Sequence, residues 1–144
     1  GEEVKQDYIK AIEYFEKGCD LNTGLACSNL GASYANGKGV KQDYRKAKKY
    51  YEKGCDLNNG LACSNFGALY GNGHEVKQDY FKAKKYFRKA CDLNDGGACF
   101  NLGILYGNGY GVKQDYSRAK EYFEKACDLK IQMGCDAYKK INEI

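Results

Sequence analysis

The sequence has a single histidine, His74, no Cys-x-x-Cys motif, and no apolar run approaching the roughly 18 residues that span a membrane. Few imidazoles and the lack of that cysteine motif argue against a metal or redox centre. The net charge of +4 is small, and lysines are interleaved with aspartate and glutamate, which argues against a nucleic-acid partner. We therefore expect no metal, no cofactor, no nucleic acid and no membrane span.

One segment recurs through the whole chain at a constant interval of 36 residues, and every copy is followed by two cysteines at matching places. The pentapeptide Val-Lys-Gln-Asp-Tyr begins at Val4, Val40, Val76 and Val112. A fixed period of this length is typical of solenoids, in which each unit packs against its neighbours. We divide the chain into four units, the last of them a capping repeat: 1–39, 40–75, 76–111 and 112–144.

The first half of each unit predicts an amphipathic helix. Ala11, Tyr14, Phe15 and Gly18 fall on one face, with charged residues between them. An aspartate precedes this helix, where its carboxylate can accept the free N–H groups of the first turn. The predicted N-caps are Asp7, Asp43, Asp79 and Asp115.

The second half of each unit predicts another helix after a tight turn. Asn22-Thr23-Gly24 supplies residues that tolerate a positive φ, and the next helix should run from near Leu25 to Asn36. No segment carries a strand signal. The fold class predicted is an all-α solenoid of αα-hairpin repeats.

The eight cysteines form pairs eight residues apart, one pair in each unit. The reversal between Cys19 and Cys27 can bring their Cα atoms within the roughly 4.4–6.8 Å that a disulfide requires. A bond to the next unit would instead have to span from Cys27 to Cys55. We predict the local bonds Cys19–Cys27, Cys55–Cys63, Cys91–Cys99 and Cys127–Cys135.

So many paired cysteines indicate an oxidising compartment, and we expect a secreted or periplasmic protein. Gly1-Glu2-Glu3 is not a signal peptide. Gly1 is in register with Gly37, so we expect the chain to be a segment of a longer precursor.

Several fixed residues resemble the Sel1-like repeat, a longer relative of the tetratricopeptide repeat. They are Ala26-Cys27-x-Asn29-Leu30-Gly31-x-x-Tyr34, Gly37-x-Gly39-Val40 and Lys46-Ala47-x-x-Tyr50-Tyr51-x-Lys53. With its paired cysteines, the unit closely resembles the Helicobacter cysteine-rich protein family. This resemblance implies an αα superhelix, secretion, intra-repeat disulfides, and binding of a protein or extended peptide on the concave face. We expect a right-handed superhelix and a monomer.

The chain departs from the repeat at two places. Glu75 replaces the glycine present at Gly39 and Gly111, where a positive φ would strain a residue with a side chain. The last unit loses the Asn-Leu-Gly triplet, which fits a polar cap.

The family resemblance also implies an alternative function, because members have been described as penicillin-binding proteins or weak β-lactamases. Ser117 and Lys120 match the Ser-x-x-Lys motif of serine β-lactam enzymes, but Ser-Asp-Asn and Lys-Thr-Gly are absent. Neighbouring units carry Arg45 and Phe81 in place of the serine. We interpret Ser117 as an exposed first-turn residue and predict no catalytic residue.

A binding function has more support. Asn29, Asn65 and Asn101 recur on the second helix, where tetratricopeptide repeats hold the backbone or carboxylate of a peptide. The alternative is that these amides satisfy backbone groups between helices. Nearby positions vary between units and would shape specificity: Ser28, Ser64, Phe100, Ala32, Ala68 and Ile104.

The lysines of the first helices in units two and three form basic patches. We interpret them mainly as a solvated face, with an acidic partner as the alternative. The residues are Lys46, Lys48, Lys49, Lys53, Lys82, Lys84, Lys85 and Lys89.

The cysteine spacing makes a direct prediction. Non-reducing peptide mapping should recover only the four local bonds, and reduction should lower the melting temperature markedly because the unfolded chain is no longer constrained. A cross-link between units, or free thiols in the native protein, would contradict the pairing.

Overall fold

The computed structural model describes all 144 residues as eight α-helices and no strand. Odd-numbered helices are the first helices of the units and even-numbered helices are the second. In chain order they are α1 Glu2–Asp20, α2 Gly24–Asn36, α3 Tyr44–Asp56, α4 Gly60–Asn72, α5 Tyr80–Asp92, α6 Gly96–Asn108, α7 Tyr116–Asp128 and α8 Gln132–Ile141. The predicted all-helical repeat fold is confirmed. No helix combines the length and the apolar character needed to cross a membrane.

Three of the four predicted N-caps are confirmed. The Asp43 carboxylate accepts hydrogen bonds from the backbone N–H groups of Arg45 and Lys46, at 3.0 and 3.1 Å. Asp79 and Asp115 cap α5 and α7 in the same way. These bonds satisfy N–H groups that no earlier turn of the helix can reach.

The prediction is wrong for Asp7, because α1 begins at Glu2 and Asp7 lies inside it. In later units the segment before the aspartate is held on the preceding second helix. Asp43 N–H donates to the Tyr34 carbonyl at 2.9 Å, and Gln42 Nε2 donates to the Ala35 carbonyl at 2.8 Å. Residues 2–7 instead belong to α1 itself, and Lys5 N–H donates to the Gly1 carbonyl at 3.1 Å.

Left-handed residues make the turns. Asn22, Asn58 and Asn94 have φ values of 64°, 62° and 65°, as the predicted tolerance for positive φ requires. Glu75 has a φ of 54°, so it adopts the conformation that glycine supplies at Gly39 and Gly111. The turn that was predicted to be strained therefore contains a non-glycine residue with its backbone in the left-handed region.

The four predicted disulfides are confirmed. Their Cα atoms lie 4.5–4.8 Å apart, and each bond joins the end of a first helix to the start of the second. The cysteines of the first three units are buried. Closing a loop this short stabilises the folded chain by roughly 2–3 kcal/mol per bond, chiefly by restricting the unfolded state.

One core runs through the molecule from Ile12 to Ala126. Its closest packing joins each second helix to the first helix of the next unit: α2 to α3, α4 to α5 and α6 to α7. At each of these junctions, an aromatic ring of the first helix packs against a glycine of the preceding second helix. A Cβ on Gly31, Gly67 or Gly103 would lie within 3.0 Å of the ring of Tyr51, Phe87 or Phe123.

Two lysines also link consecutive units. Lys53 Nζ donates to the Cys19 carbonyl at 2.7 Å, and Lys89 Nζ donates to the Cys55 carbonyl at 2.9 Å. Each carbonyl lies at the C-terminus of the preceding first helix, where a cation is favourable. These lysines are therefore part of the scaffold.

The last unit differs at its outer face. Lys139 and Asn142 stand where the third unit has Gly103 and Tyr106, and both are exposed. The glycine and the tyrosine present at these positions in the first three units are therefore not repeated in the last unit.

The glycine contact can be tested within a single helix. We expect Gly67→Ala to lower the free energy of unfolding by about 1–3 kcal/mol, because the added methyl group overpacks against Phe87. Gly71→Ala is the matched control, since its Cβ would meet Ala83 at an ordinary 3.7 Å. The control should be neutral or stabilising by up to about 1 kcal/mol through helix propensity. Urea denaturation measures the free energy of unfolding of both variants, and equal losses in the two would contradict the contact.

Candidate functional site

The second helices share a stripe of solvent-facing positions. In α4 these are Leu61, Asn65, Ala68 and Asn72, which follow the i, i+4, i+7, i+11 spacing of one helix face. The equivalent residues are Leu25, Asn29, Ala32 and Asn36 in α2, and Gly97, Asn101, Ile104 and Asn108 in α6. We call this face the asparagine stripe. It lies away from the glycine face that packs on the next first helix.

Asn29, Asn65 and Asn101 are half-buried at the middle of the stripe. Their carboxamides make no hydrogen bond within the protein. The one side-chain hydrogen bond to any of these residues goes to a main-chain atom, from Ser33 Oγ to the Asn29 carbonyl at 3.0 Å. Each amide therefore retains its donors and its acceptor for another molecule.

The varied positions lie in two different environments. Ala32, Ala68 and Ile104 are half-buried on the asparagine stripe. Ser28 is only 1% exposed, and its hydroxyl has no hydrogen-bond partner. Its side chain is therefore in the core and does not face a ligand on the surface.

The two counterparts of Ser28 are half-buried beside the core. Phe100 packs against Phe123, with 5.7 Å between ring centroids, and Ser64 is equally enclosed. These positions fill the space towards the next first helix. The stripe itself is formed by the asparagines and by the positions three residues after them.

A groove opens beside the stripe where consecutive units meet. Between α4, α5 and α6 it encloses about 290 Å³ and brings together three predicted residues, Ala68, Asn101 and Ile104. Its other walls include Phe87 and the rings of Tyr80 and Tyr110, which stack with 5.1 Å between centroids. We call this space the junction groove.

The groove recurs one unit further along the chain. A second space of about 290 Å³ has Ile104, Tyr116 and Phe123 in the places of Ala68, Tyr80 and Phe87. Ala137 and Lys140 replace Asn101 and Ile104 there, so the last unit offers no carboxamide at this place. Sequence reasoning missed the tyrosines of these walls, although Tyr80 and Tyr116 each open a first helix in register.

At each junction, a tyrosine of the second helix stacks on a tyrosine of the next first helix. Tyr34–Tyr50, Tyr70–Tyr86 and Tyr106–Tyr122 have ring centroids 5.7, 6.1 and 5.6 Å apart. Burial raises the pKa of Tyr50, Tyr86 and Tyr122, and it raises the pKa of Tyr51 to about 12. These hydroxyls stay protonated at neutral pH, and the rings serve packing.

The residues considered for catalysis are not brought together. Ser117 is exposed in the first turn of α7. Lys120 Nζ lies over the ring of Tyr138, 5.7 Å from its centroid, and no hydrogen bond joins it to Ser117. No group of three or more histidine, cysteine, aspartate or glutamate side chains is arranged to hold a metal ion.

Comparison with known families finds one pattern along most of the chain. The Sel1 repeat matches residues 1–23, 24–59, 60–95 and 97–130. The internal matches begin at second helices, so this pattern divides the same period at a different point from the four units defined above.

Solved structures of similar fold come from several bacteria. Helicobacter pylori cysteine rich protein B is 38% identical, with a TM-score of 0.75 over 93% of this chain and 96% of that one. A Sel1 repeat protein from Oxalobacter formigenes is 30% identical, with a TM-score of 0.85 over 92% of this chain and 54% of that one.

A shorter match joins the chain to Beta-lactamase HcpA of Helicobacter pylori strain J99. The two are 51% identical over 35 residues, which are 24% of this chain and 14% of that protein. The chain thus aligns with about half of the Oxalobacter protein and with a small part of HcpA.

Proposed function

Because the chain belongs to the Sel1 repeat family, we propose that it is a scaffold that binds an extended segment of another protein along the asparagine stripe. Sel1 repeat proteins typically bind other proteins. The four disulfides fit an extracytoplasmic location, and we propose that the protein is secreted or periplasmic and acts as a monomer.

The observation that carries this proposal is the set of unpaired carboxamides in register. Asn29, Asn65 and Asn101 are half-buried without hydrogen-bond partners in the protein. A side-chain amide can donate to and accept from a peptide group, whatever side chain that residue of the partner carries. Such a row recognises a backbone and tolerates many sequences.

The spacing of the row supports an extended partner. Packed helices lie about 8–10 Å apart, and an extended peptide advances about 3.3 Å per residue. Each asparagine would then meet roughly every third residue of the partner. The junction groove lies beside Asn101, and its residues Ala68 and Ile104 can contact the intervening side chains.

Neighbouring second helices can present their asparagines to one partner, and α2 and α4 contact each other directly. A partner in that position would be contacted by several units at once. The disulfides hold these units in place before binding, which reduces the entropy lost on association.

The asparagine stripe can be tested with a peptide selected from a random library on the oxidised protein. We expect Asn65→Ala to weaken binding by about 1–3 kcal/mol, because a buried peptide group of the partner loses its hydrogen bond. Isothermal titration calorimetry measures the affinity, and thermal denaturation measures stability, which should change far less. Asn142→Ala, at an exposed position outside the stripe, is the matched control. A large drop in melting temperature with unaltered affinity would assign Asn65 to the scaffold.

The shared pattern with Beta-lactamase HcpA makes β-lactam hydrolysis the alternative function. The geometry gives it little support, because Lys120 lies over Tyr138 and does not bond to Ser117. A lysine that activates a serine must lie within hydrogen-bond reach of it.

We expect no efficient turnover of nitrocefin, and we expect Ser117→Ala to leave any residual rate unchanged. Absorbance assays on the oxidised protein, with circular dichroism of both forms, make the comparison. Activity that disappears in the folded Ser117→Ala protein would show that this serine is a nucleophile.

A further inference from the structure

The first helices of the two central units carry a concentration of positive charge on their outer side. We call this surface the basic face. It consists of Arg45, Lys48, Lys49, Lys84, Lys85 and Arg88. Lys48 and Lys84 are half-buried, and the other four side chains are exposed.

The repeat itself shows that the scaffold does not require these charges. Lys49 and Lys85 occupy the position of Glu13 in α1 and Glu121 in α7, and Arg88 occupies the position of Glu124. All four helices nevertheless adopt the same fold. By contrast, Lys53 and Lys89 each donate a hydrogen bond to the preceding unit, and every unit carries a lysine at this position.

No side chain of the basic face forms a salt bridge with a carboxylate of the protein. The single salt bridge in the structure joins Arg118 to Asp115 at 3.7 Å, outside this surface. Instead, lysines lie over aromatic rings: Lys48 over Tyr70, Lys49 over Tyr50, Lys84 over Phe81 and Lys85 over Tyr86, at 4.9–6.0 Å from the centroids. A ring fixes a lysine in place and leaves its ammonium group able to meet an anion.

A depression of about 350 Å³ on α3 is lined only by charged side chains, among them Arg45, Lys48 and Lys49. Glu52, Lys53 and Asp56 complete its wall, so that four basic side chains accompany two carboxylates. It has the size and charge to admit an acidic side chain.

An exposed aromatic residue lies within the same surface. Phe81 is 64% exposed at the start of α5, with Lys84 Nζ 4.9 Å from its ring centroid. The equivalent positions carry Ile9, Arg45 and Ser117, so the scaffold does not require an aromatic ring there. Aromatic residues and arginine are the types that concentrate binding energy at protein interfaces.

We propose that the basic face docks an acidic segment of a protein partner, with Phe81 contacting an apolar side chain of that segment. The face is two helices wide, and Glu13, Glu16, Glu121 and Glu124 border it on both sides. A short segment fits between these borders, and a long polyanion would run onto like charge. The site lies on the first helices, so it is independent of the asparagine stripe.

A labelled acidic peptide, with one central leucine between two runs of four glutamates, probes this surface in the oxidised full chain. Fluorescence anisotropy should show binding that weakens as salt is raised. Lys49→Glu/Lys85→Glu/Arg88→Glu should weaken it at least about tenfold, because each change places a repelling charge where an attracting one stood. The chain already carries glutamate at these positions in α7, so the variant should fold.

Two further variants provide controls. One distinguishes binding at the basic face from an effect of overall charge, and the other tests the aromatic contact. Lys41→Glu/Lys77→Glu/Lys113→Glu makes the same change in net charge on exposed loops and should keep the affinity within about threefold. Phe81→Ser introduces the residue type found at position 117. It should weaken binding of the leucine-containing peptide more than binding of a peptide of nine glutamates.

Several results would overturn the proposal. The first is an equal loss in the two charge-reversal variants, because overall charge would then explain the binding. The second is no binding of the peptide at low salt. The third is tighter binding of single-stranded DNA, or of vesicles containing phosphatidylserine, that depends on the same three residues. Circular dichroism and disulfide mapping of each variant establish that it is folded.

Discussion

At each junction between helix pairs, an aromatic ring lies on the backbone of a glycine in the preceding second helix. The absence of a Cβ at Gly31, Gly67 and Gly103 lets Tyr51, Phe87 and Phe123 approach the helix itself. This contact sets the distance and the angle between units. The row of asparagines and the junction grooves depend on it, because each is assembled from residues of consecutive units.

The junction also decides which residues are free to vary. Positions that touch it, such as the alanines at 47, 83 and 119, are the same in the last three units. Positions on the two binding surfaces proposed above differ from unit to unit: alanine or isoleucine on the stripe, and lysine or glutamate on the first helices. A repeated scaffold thus separates the residues that make it stable from those that give each unit its own surface.

Local features could be predicted from the sequence because four copies repeat them. The helices, three N-caps, the left-handed asparagines and every disulfide depend on residues within about one unit. The failures depend on neighbours in space. Asp7 is not an N-cap because residues 2–7 are themselves part of α1, and Ser28 lies in the core with only 1% of its surface exposed. The groove walls at Tyr80 and Tyr110 join residues thirty positions apart, and no spacing in the sequence indicated their stacking.

The local character of the disulfides has a consequence for how the protein matures. Partners lie eight residues apart, and the next cysteine follows only after a further 28, from Cys27 to Cys55. Each thiol therefore has its native partner as its nearest thiol along the chain. Closing the shorter loop costs less entropy, so the native pairs are favoured over pairs between units when the chain is oxidised.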